Sequence, residues 1–373
     1  MKTPQPKPGI LSISPYVAGK SSADNSVRII KLSSNENPYG PSPKAIAAYA
    51  EQAQTLTRYP DSGHAALRAA IGEVYQCPAE QLICGAGSDE LIGLLIHAYA
   101  GLGDEVLFTE HGFLMYRIYT LGNSATPVVA RETNLTADID ALLAAVTPKT
   151  RIVFLANPNN PTGTLIGYSE VERLRNHLRD DIILALDAAY SEYVQDANYH
   201  DGRDLVSAGS NTVVFHTFSK IYGLPALRLG FAYGPAAIID VLNRIRGPFN
   251  VNSPAIAAAM AAVADTDYTA LMRKNNTEQL TRVSAQLAQY GLSVVPSFGN
   301  FLLVKFPADA KKNAQAANQF LLKNGLIVRD VTSYGLPEYL RITIGTPEEN
   351  TLLLDAIASF MHSSDTASSK SAS

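Results

Sequence analysis

The chain has 373 residues, of which 46% are hydrophobic and 17% charged, and its formal net charge is −4. A chain of this length favours two domains, and its composition supplies a large apolar core and excludes wholesale disorder. It has no long basic run, so binding to nucleic acid or to an anionic membrane lacks the positive charge that it requires. A small molecule is therefore the expected ligand.

The N-terminal residues are polar and rich in proline, and no apolar signal region follows them. The longest apolar stretches, such as residues 255–264, are shorter than the roughly 20 residues that span a bilayer. These features favour a cytoplasmic enzyme. Cys77 and Cys84 do not have a Cys-x-x-Cys spacing, and two thiols in so long a chain are no disulfide framework. We expect buried or incidental thiols.

Residues 1–43 contain seven prolines and predict an extended arm with a polar, turn-rich segment at 32–41. A helix is predicted at 43–51. Beyond it, short β-rich runs alternate with helical ones, and several of the runs are apolar almost throughout, as strands covered on both faces are. Strands are predicted at 81–84, 105–108, 151–155, 181–186 and 212–215, with helices at 88–99 and 169–178. This alternation predicts an α/β fold with a mainly parallel sheet.

The character of the sequence changes after about residue 270. A predicted helix at 267–290 leads into short strands at 292–295, 301–306, 326–329 and 339–344, which indicates a smaller α+β domain. The predicted organisation is an N-terminal arm (1–43) that contributes to the small domain and the active site, a large domain (44–265), a small domain (266–362) and a disordered tail (363–373). The tail is predicted from its low complexity.

Three polar residues follow neighbouring predicted strands, at the strand ends where α/β sheets bind ligands. Asp187 follows the strand at 181–186, Asn160 the strand at 151–155, and Lys220 the strand at 212–215. Alone, they would be interpreted as a helix cap, a turn residue and a surface charge. Together they supply a carboxylate for a protonated ring nitrogen, a donor for a phenolate and an amine for an imine. Those groups hold pyridoxal phosphate (PLP) and use it as an electron sink.

A glycine-containing turn, 85–90, joins the strand at 81–84 to an apolar helix. It has two glycines of a dinucleotide fingerprint, but Glu90 stands where the third should be, so that interpretation is weak. A glycine turn that opens a helix still directs backbone N–H groups and the positive end of the helix dipole toward an anion, and one phosphate fits as well as two. The predicted phosphate cradle consists of Gly87, Ser88, Asp89, Thr217, Ser219 and Arg228.

With these motifs the chain resembles the fold-type-I PLP-dependent aminotransferases, and within them the histidinol-phosphate aminotransferases. The resemblance covers residues 32–346. The superfamily motifs are Asn160-Pro-Thr-Gly163, Asp187-x-x-Tyr190, Ser219-Lys220 and Arg228. The narrower motifs are the segments 35–41 (NENPYGP), 58–61 (RYPD), 328–330 (VRD) and 340–345 (LRITIG). The resemblance implies a large PLP-binding domain with a mostly parallel, seven-stranded sheet, and a smaller α+β domain.

The resemblance also implies a role for each matching residue. Lys220 forms the imine with PLP and moves a proton between the substrate Cα and the cofactor C4′. Asp187 keeps the pyridine nitrogen protonated, while Asn160 and Tyr190 hydrogen-bond the ring oxygen O3′. Tyr59 would reach the cofactor phosphate from the neighbouring subunit of a homodimer.

One position departs from the family pattern. Histidinol-phosphate aminotransferases often carry a tyrosine that stacks on the cofactor ring, and the corresponding stretch here is 110–116 (EHGFLMY). We expect Phe113 over the ring, since stacking needs only a π face. An alignment shifted to His111, or a role for Phe113 in core packing, is the alternative.

The activity that the resemblance implies is transamination of L-histidinol phosphate with 2-oxoglutarate, which yields L-glutamate, in histidine biosynthesis. One cationic region must then accept a phosphate or a carboxylate, and fork-shaped guanidinium groups suit both. Arg341 and Arg329 are the candidates by resemblance, with Asn35 and Tyr16 nearby. Pairing of Arg329 with Asp330 or a surface acid is the alternative.

Three other functions are open on the sequence alone. Imidazole and phenyl rings can share a flat pocket, so an aminotransferase for phenylalanine or tyrosine is the nearest alternative. A decarboxylase of a phosphorylated amino acid on the same scaffold is the second. A non-catalytic PLP-binding regulator is disfavoured, because no DNA-binding domain fits ahead of residue 30. The seven histidines show no metal-ligand spacing and no Gly-x-Ser-x-Gly elbow is present, so neither a metal site nor a serine nucleophile is predicted.

Overall fold

The computed structural model describes residues 4–15, 28–209 and 211–362. The predicted disordered tail lies outside these residues. Contacts divide the described chain into two compact units, each discontinuous in sequence. The large unit comprises residues 4–15, 36–209, 211–276 and 297–300, and the small unit comprises residues 28–35, 277–296 and 301–362.

The strands and helices alternate through most of the described chain. The strands are β1 (Ile30–Leu32), β2 (Leu82–Gly85), β3 (Glu105–Thr109), β4 (Thr126–Ala130), β5 (Glu132–Thr133), β6 (Thr136–Ala137), β7 (Thr150–Ala156), β8 (Ile183–Asp187), β9 (Thr212–Thr217), β10 (Gly230–Tyr233), β11 (Ser293–Val295), β12 (Phe301–Lys305), β13 (Leu326–Asp330) and β14 (Tyr339–Thr343). The helices are α1 (Pro43–Glu51), α2 (Ala65–Tyr75), α3 (Ser88–Tyr99), α4 (Leu114–Gly122), α5 (Ile139–Ala144), α6 (Tyr168–His177), α7 (Arg203–Ser207), α8 (Ala236–Ile245), α9 (Ser253–Ala264), α10 (Thr266–Gln289), α11 (Ala314–Lys323) and α12 (Pro347–His362). Within the described ranges, no helix combines the length and the apolar character that crossing a membrane requires.

The large unit is built on a seven-stranded sheet with the order β2-β10-β9-β8-β7-β3-β4. β10 runs antiparallel to its neighbours β2 and β9, and the other neighbouring pairs are parallel. The central strands β8 and β9 are buried along their whole length, which explains their continuous apolar sequences. The predicted α/β class with a mostly parallel seven-stranded sheet is confirmed.

Two strands of this sheet have no counterpart among the predicted strands, for different physical reasons. β10 has only four residues, begins at Gly230 and has no polar alternation that would mark it. β4 contains Pro127, which has no N–H to donate and is tolerated because β4 lies at the edge of the sheet.

Helix α3 fixes the position of the glycine turn that precedes it. Leu91, Ile92, Leu95 and Ile96 recur at helical spacing and are completely buried in a cluster that includes residues of β7 and β9. Burial of each such side chain contributes about 1.5–3 kcal/mol. The packing of α3 therefore holds its N-terminal end, directly after Gly87, at the edge of the sheet where β9 also ends.

The small unit is a five-stranded sheet with the order β1-β13-β14-β12-β11. β1 is parallel to β13, and the remaining pairs are antiparallel. The core contains residues of α11 and α12, among them Leu321, Leu353 and Ile357, which pack with Leu302 and Ile342 of the sheet. This arrangement agrees with the α+β character expected for the C-terminal part of the chain.

Candidate active site

The carboxyl ends of β7, β8 and β9 form one side of a cavity of about 400 Å³ in the large unit. Asp187 is the last residue of β8, Asn160 lies in the turn after β7, and Lys220 lies in the turn after β9. All three residues line the cavity, together with Tyr190. The structure thus brings together the acid, the amide and the amine that the sequence predicts at neighbouring strand ends.

The carboxylate of Asp187 is buried and fixed by a hydrogen bond on each oxygen. Tyr116 Oη donates to Oδ2 at 2.7 Å, and the backbone N–H of Ala189 donates to Oδ1 at 3.1 Å. Burial raises the pKa of Asp187, while these two donors and the positive charges of His216 and Lys220 act in the opposite direction. The net pKa is above the ordinary value. The carboxylate is thus held in place but is costly to keep ionised.

The side chain of Lys220 lies beside the ring of Tyr190. Its Nζ is 5.6 Å from the centroid of the Tyr190 ring, which is 3% exposed. The turn that carries the lysine is closed by a hydrogen bond from the N–H of Gly223 to the Lys220 carbonyl. This geometry leaves the amine in the cavity, next to a phenol that can exchange a proton or a hydrogen bond with the same ligand.

The glycine turn and the segment after β9 meet at the other end of the cavity. Ser88 and Asp89, the first residues of α3, line it together with Thr217, Ser219 and Arg228. Arg228 Nη1 donates to Ser219 Oγ at 3.3 Å, and Asp89 Oδ2 accepts from Tyr119 Oη at 2.9 Å. The N-terminal end of a 12-residue helix and a guanidinium group, side by side, form a suitable cradle for a phosphate.

Two glycines keep this cradle narrow. Gly87 has φ +87°, and a Cβ at this position would collide with Nη2 of Arg228. A Cβ on Gly230 of β10 would collide with the backbone N of Ser88 and lie 2.8 Å from the carbonyl oxygen of His216. Only glycine therefore permits the turn, the arginine and β10 to approach so closely. Gly87 itself is not among the residues that line the cavity.

Phe113, not His111, lines the cavity. The His111 side chain is held away by an ion pair from Nδ1 to Glu132 Oε2 at 2.8 Å, and its carbonyl accepts a hydrogen bond from Asn159. Phe113 is only half-buried and packs edge-on against Tyr116 at 5.8 Å between ring centroids. Since Phe113 also lines the cavity, its ring can contact a ligand ring.

Tyr59 does not line the cavity of its own chain. It is 81% exposed and its ring stacks on Phe249 at 4.4 Å between centroids, with an angle of 18° between the planes. Aromatic residues are enriched at protein–protein interfaces relative to the rest of the surface. This placement is compatible with the expectation that Tyr59 acts in a neighbouring subunit.

The predicted substrate residues lie in the small unit, except Tyr16, which falls outside the described residues. Arg329 of β13 and Arg341 of β14 are directly opposite in the antiparallel ladder. Like charges directly opposite each other on one sheet face repel each other. Arg341 is buried, donates from Nη2 to the Ser33 carbonyl at 2.8 Å and lies 5.4 Å from the centroid of the Phe301 ring.

Asn35 is tied to the strand that carries Arg341. Its N–H donates to Thr343 Oγ1 at 2.9 Å, and its Oδ1 accepts from that hydroxyl at 3.1 Å. Asn35 is 1% exposed and adopts φ +55°, a conformation that asparagine tolerates better than most residues. The first residue of the NENPYGP segment is thus locked in place beside β14.

Sequence reasoning missed a charged cluster behind the cavity. His216 of β9 is fully buried, stacks on Phe231, and forms ion pairs with Glu192 at 3.0 Å and Asp201 at 3.4 Å. Burial alone would lower its pKa, but the two carboxylates outweigh that effect and raise the pKa of His216 to about 9. No periodicity marks this cluster, because its members come from separate segments.

The donor set of the cavity fits a phosphorylated pyridine aldehyde. The buried carboxylate suits a protonated ring nitrogen, the amine suits an aldehyde, and the cradle suits a phosphate. The groups are arranged in one continuous space, as the predicted cofactor requires.

Residues 27–357 match the model of the family described as aminotransferase class I and II. The chain belongs to this family. It is similar to proteins described as histidinol-phosphate aminotransferase from Paramagnetospirillum magneticum and from Rhodopseudomonas palustris strain HaA2. The first is 55% identical over 361 residues and the second 51% over 362 residues, in each case 97% of this chain and 99% of the relative. The resemblance inferred from the motifs is confirmed.

Solved structures agree with the fold. The crystal structure of histidinol-phosphate aminotransferase from Sinorhizobium meliloti in complex with pyridoxal-5'-phosphate has a TM-score of 0.82 at 26% identity, covering 90% of this chain and 91% of that one. L-threonine-O-3-phosphate decarboxylase from Porphyromonas gingivalis has a TM-score of 0.77 at 22% identity, covering 90% of this chain and 100% of that one. At that identity the second likeness shows the shared fold alone.

Proposed function

We propose that this protein is a PLP-dependent aminotransferase that transfers the amino group of L-histidinol phosphate to 2-oxoglutarate, a step in histidine biosynthesis. The observation that carries the proposal is the cavity that joins the Lys220 amine, the buried Asp187 carboxylate and the cradle at the start of α3. Family membership and relatives of 55% and 51% identity along nearly the whole chain support the same substrate.

Bound PLP supplies an electron sink for the bond that breaks at the substrate Cα. Residues of this chain hold and transfer the protons. Lys220 Nζ would hold the cofactor and, once the substrate is bound, would move a proton from the substrate Cα to the cofactor C4′. Asp187 holds a proton at the ring nitrogen through its ionised carboxylate. Asn160 and Tyr190 orient the ring by hydrogen bonds at the ring oxygen.

The cofactor phosphate is bound by the cradle. Backbone N–H groups at Ser88 and Asp89 and the hydroxyls of Thr217 and Ser219 supply donors, and Arg228 supplies a charge with fork geometry. These groups would fix the cofactor in the cavity by binding its phosphate. Phe113, which lines the cavity, would pack against one face of the ring.

The arginines of the small unit recognise the substrates. Arg329 and Arg341 lie opposite each other on adjacent strands, so the ladder places two arginines close together. A phosphate and a carboxylate both fit this role, as two alternating substrates require. Asn35, fixed to Thr343, and Tyr16 complete this part of the proposal.

The proposal includes a homodimer and assigns a different role to each domain. Tyr59, exposed and stacked on Phe249, would reach the cofactor phosphate of the neighbouring subunit. The large domain (44–265) would hold the cofactor, and the small domain (266–362) with the N-terminal arm would hold the substrate. The cytoplasm stays the predicted location.

The test is an absorbance spectrum of the purified protein loaded with PLP, before and after addition of L-histidinol phosphate. The visible band is expected to give way to the near-ultraviolet band of the amine form of the cofactor, and 2-oxoglutarate should restore it. Lys220→Ala is the matched control and should not convert. Conversion by phenylalanine alone would instead identify an aromatic aminotransferase, and carbon dioxide release without a keto acid would identify a decarboxylase.

A further inference from the structure

The role proposed for Asp187 creates an electrostatic problem. The residue is 7% exposed, and burial favours the neutral carboxylic acid, which cannot hold a proton on a ring nitrogen. Something in the chain must therefore stabilise the ionised carboxylate. Lys220 and His216 contribute charge, but their positions do not fix the direction in which the carboxylate points.

The hydroxyl of Tyr116 is placed to stabilise the ionised carboxylate of Asp187. Its Oη donates to Asp187 Oδ2 at 2.7 Å, and the two residues are brought together from α4 and β8. The Tyr116 side chain is 1% exposed, and its ring stacks on Phe154 at 4.5 Å with an angle of 12° between the planes. Phe113 packs on it edge-on. A phenol held on several sides presents its hydroxyl in one direction.

A carboxylate with one donor on each oxygen cannot rotate without losing both bonds. Tyr116 occupies one lone pair of Oδ2 and the Ala189 N–H occupies one of Oδ1, so each oxygen keeps a second lone pair. A charged carboxylate gains more from such donors than a neutral acid does.

We propose that Tyr116 is a positioning residue that holds the Asp187 carboxylate ionised and aimed at the cofactor ring nitrogen. The hydroxyl, not the ring, carries this role, because a phenylalanine would keep the packing against Phe154. The inference rests on the proposed PLP-dependent function and extends it to a residue that does not line the cavity.

The experiment measures equilibrium binding of PLP and of 1-deaza-PLP, in which the ring nitrogen is replaced by C–H, to the full-length apoprotein. Tyr116→Phe is compared with wild type and with Tyr75→Phe. The control loses the same kind of bond, from Tyr75 Oη to Glu192 Oε1 at 2.7 Å, in another buried position. Thermal melting of each apoprotein shows whether the two variants lose comparable stability.

We expect Tyr116→Phe to bind PLP about tenfold more weakly, which corresponds to about 1.4 kcal/mol, and to bind 1-deaza-PLP as wild type does. Tyr75→Phe should bind both as wild type does. In an Asp187→Ala background, Tyr116→Phe should cause no further loss. An equal loss for the two cofactors would mean that the hydroxyl is merely structural, and an unchanged PLP affinity would also overturn the inference. Wild type that fails to bind PLP would refute the proposed function itself, and the inference with it.

Discussion

His216 makes the stability of the large unit depend on pH. Its imidazole is fully buried and lies against the carboxylates of Glu192 and Asp201, which raise its pKa to about 9 from an ordinary 6.5. Because the folded-state pKa is the higher one, the protonated ring binds its proton more tightly in the folded chain. The resulting stability is fully present below pH 6.5 and is lost as the pH rises through about 9.

The size of the effect follows from the two pKa values. The difference between 9 and 6.5 is about 2.5 units, and each unit corresponds to 1.36 kcal/mol, which gives about 3 kcal/mol. No correction for solvent screening applies, since His216 is 0% exposed. We expect His216→Gln to be less stable than wild type by about 3–5 kcal/mol at pH 6.5, because two buried carboxylates lose their partner.

The assay is urea unfolding of the apoprotein, followed by far-ultraviolet circular dichroism at several pH values between 6 and 10. The difference in unfolding free energy between wild type and His216→Gln should shrink by about 3 kcal/mol across this interval. His97→Gln, which changes an exposed ring bound to Asn123, should follow the wild-type profile. Parallel profiles for wild type and His216→Gln would refute the reasoning, because the buried ring would then not be the titrating group.

Three further outcomes are expected. Gly87→Ala should weaken PLP binding by about tenfold or more, because its Cβ would displace the Arg228 guanidinium from the cradle. PLP affinity is measured by equilibrium dialysis, and an affinity equal to that of wild type would show that the arginine can move without cost. Arg228→Lys keeps the positive charge but loses the forked guanidinium group, and we expect about a tenfold loss of PLP affinity in the same measurement. An unchanged PLP affinity would mean that the charge alone suffices. Arg329→Ala should lower kcat/KM for histidinol phosphate far more than for phenylalanine in steady-state assays, and an equal loss would remove Arg329 from phosphate recognition.

The fold could be predicted largely because parallel strands are buried on both faces. The apolar runs at β7, β8 and β9 marked three strands whose ends had to meet at one edge, so Asn160, Asp187 and Lys220 could be grouped before any contact was known. The helix after the glycine turn was equally visible, since α3 follows its predicted span of 88–99. These features depend on local pattern and on a general rule of sheet architecture.

The remaining features depend on pairings between distant segments. The hydrogen bond from Tyr116 to Asp187 joins a helix to a strand, and neither neighbourhood carries a pattern that identifies the other. The contact of His216 with Glu192 is of the same kind. The opposition of Arg329 and Arg341 depends on the register of β13 against β14, which alternation alone does not determine.

The placement of β10 has a consequence for the order in which the chain is made. In the sheet, β2 has β10 as its neighbour, with Gly85 opposite Gly230, so the glycine turn gains its support from a segment synthesised long after it. During translation, β2 remains an unpaired edge with free backbone groups until β10 has left the ribosome. A nascent chain that stalls before residue 233 would therefore expose a strand prone to aggregation and have no complete phosphate cradle. The glycine turn thus reaches its final support only in chains whose synthesis has passed this point.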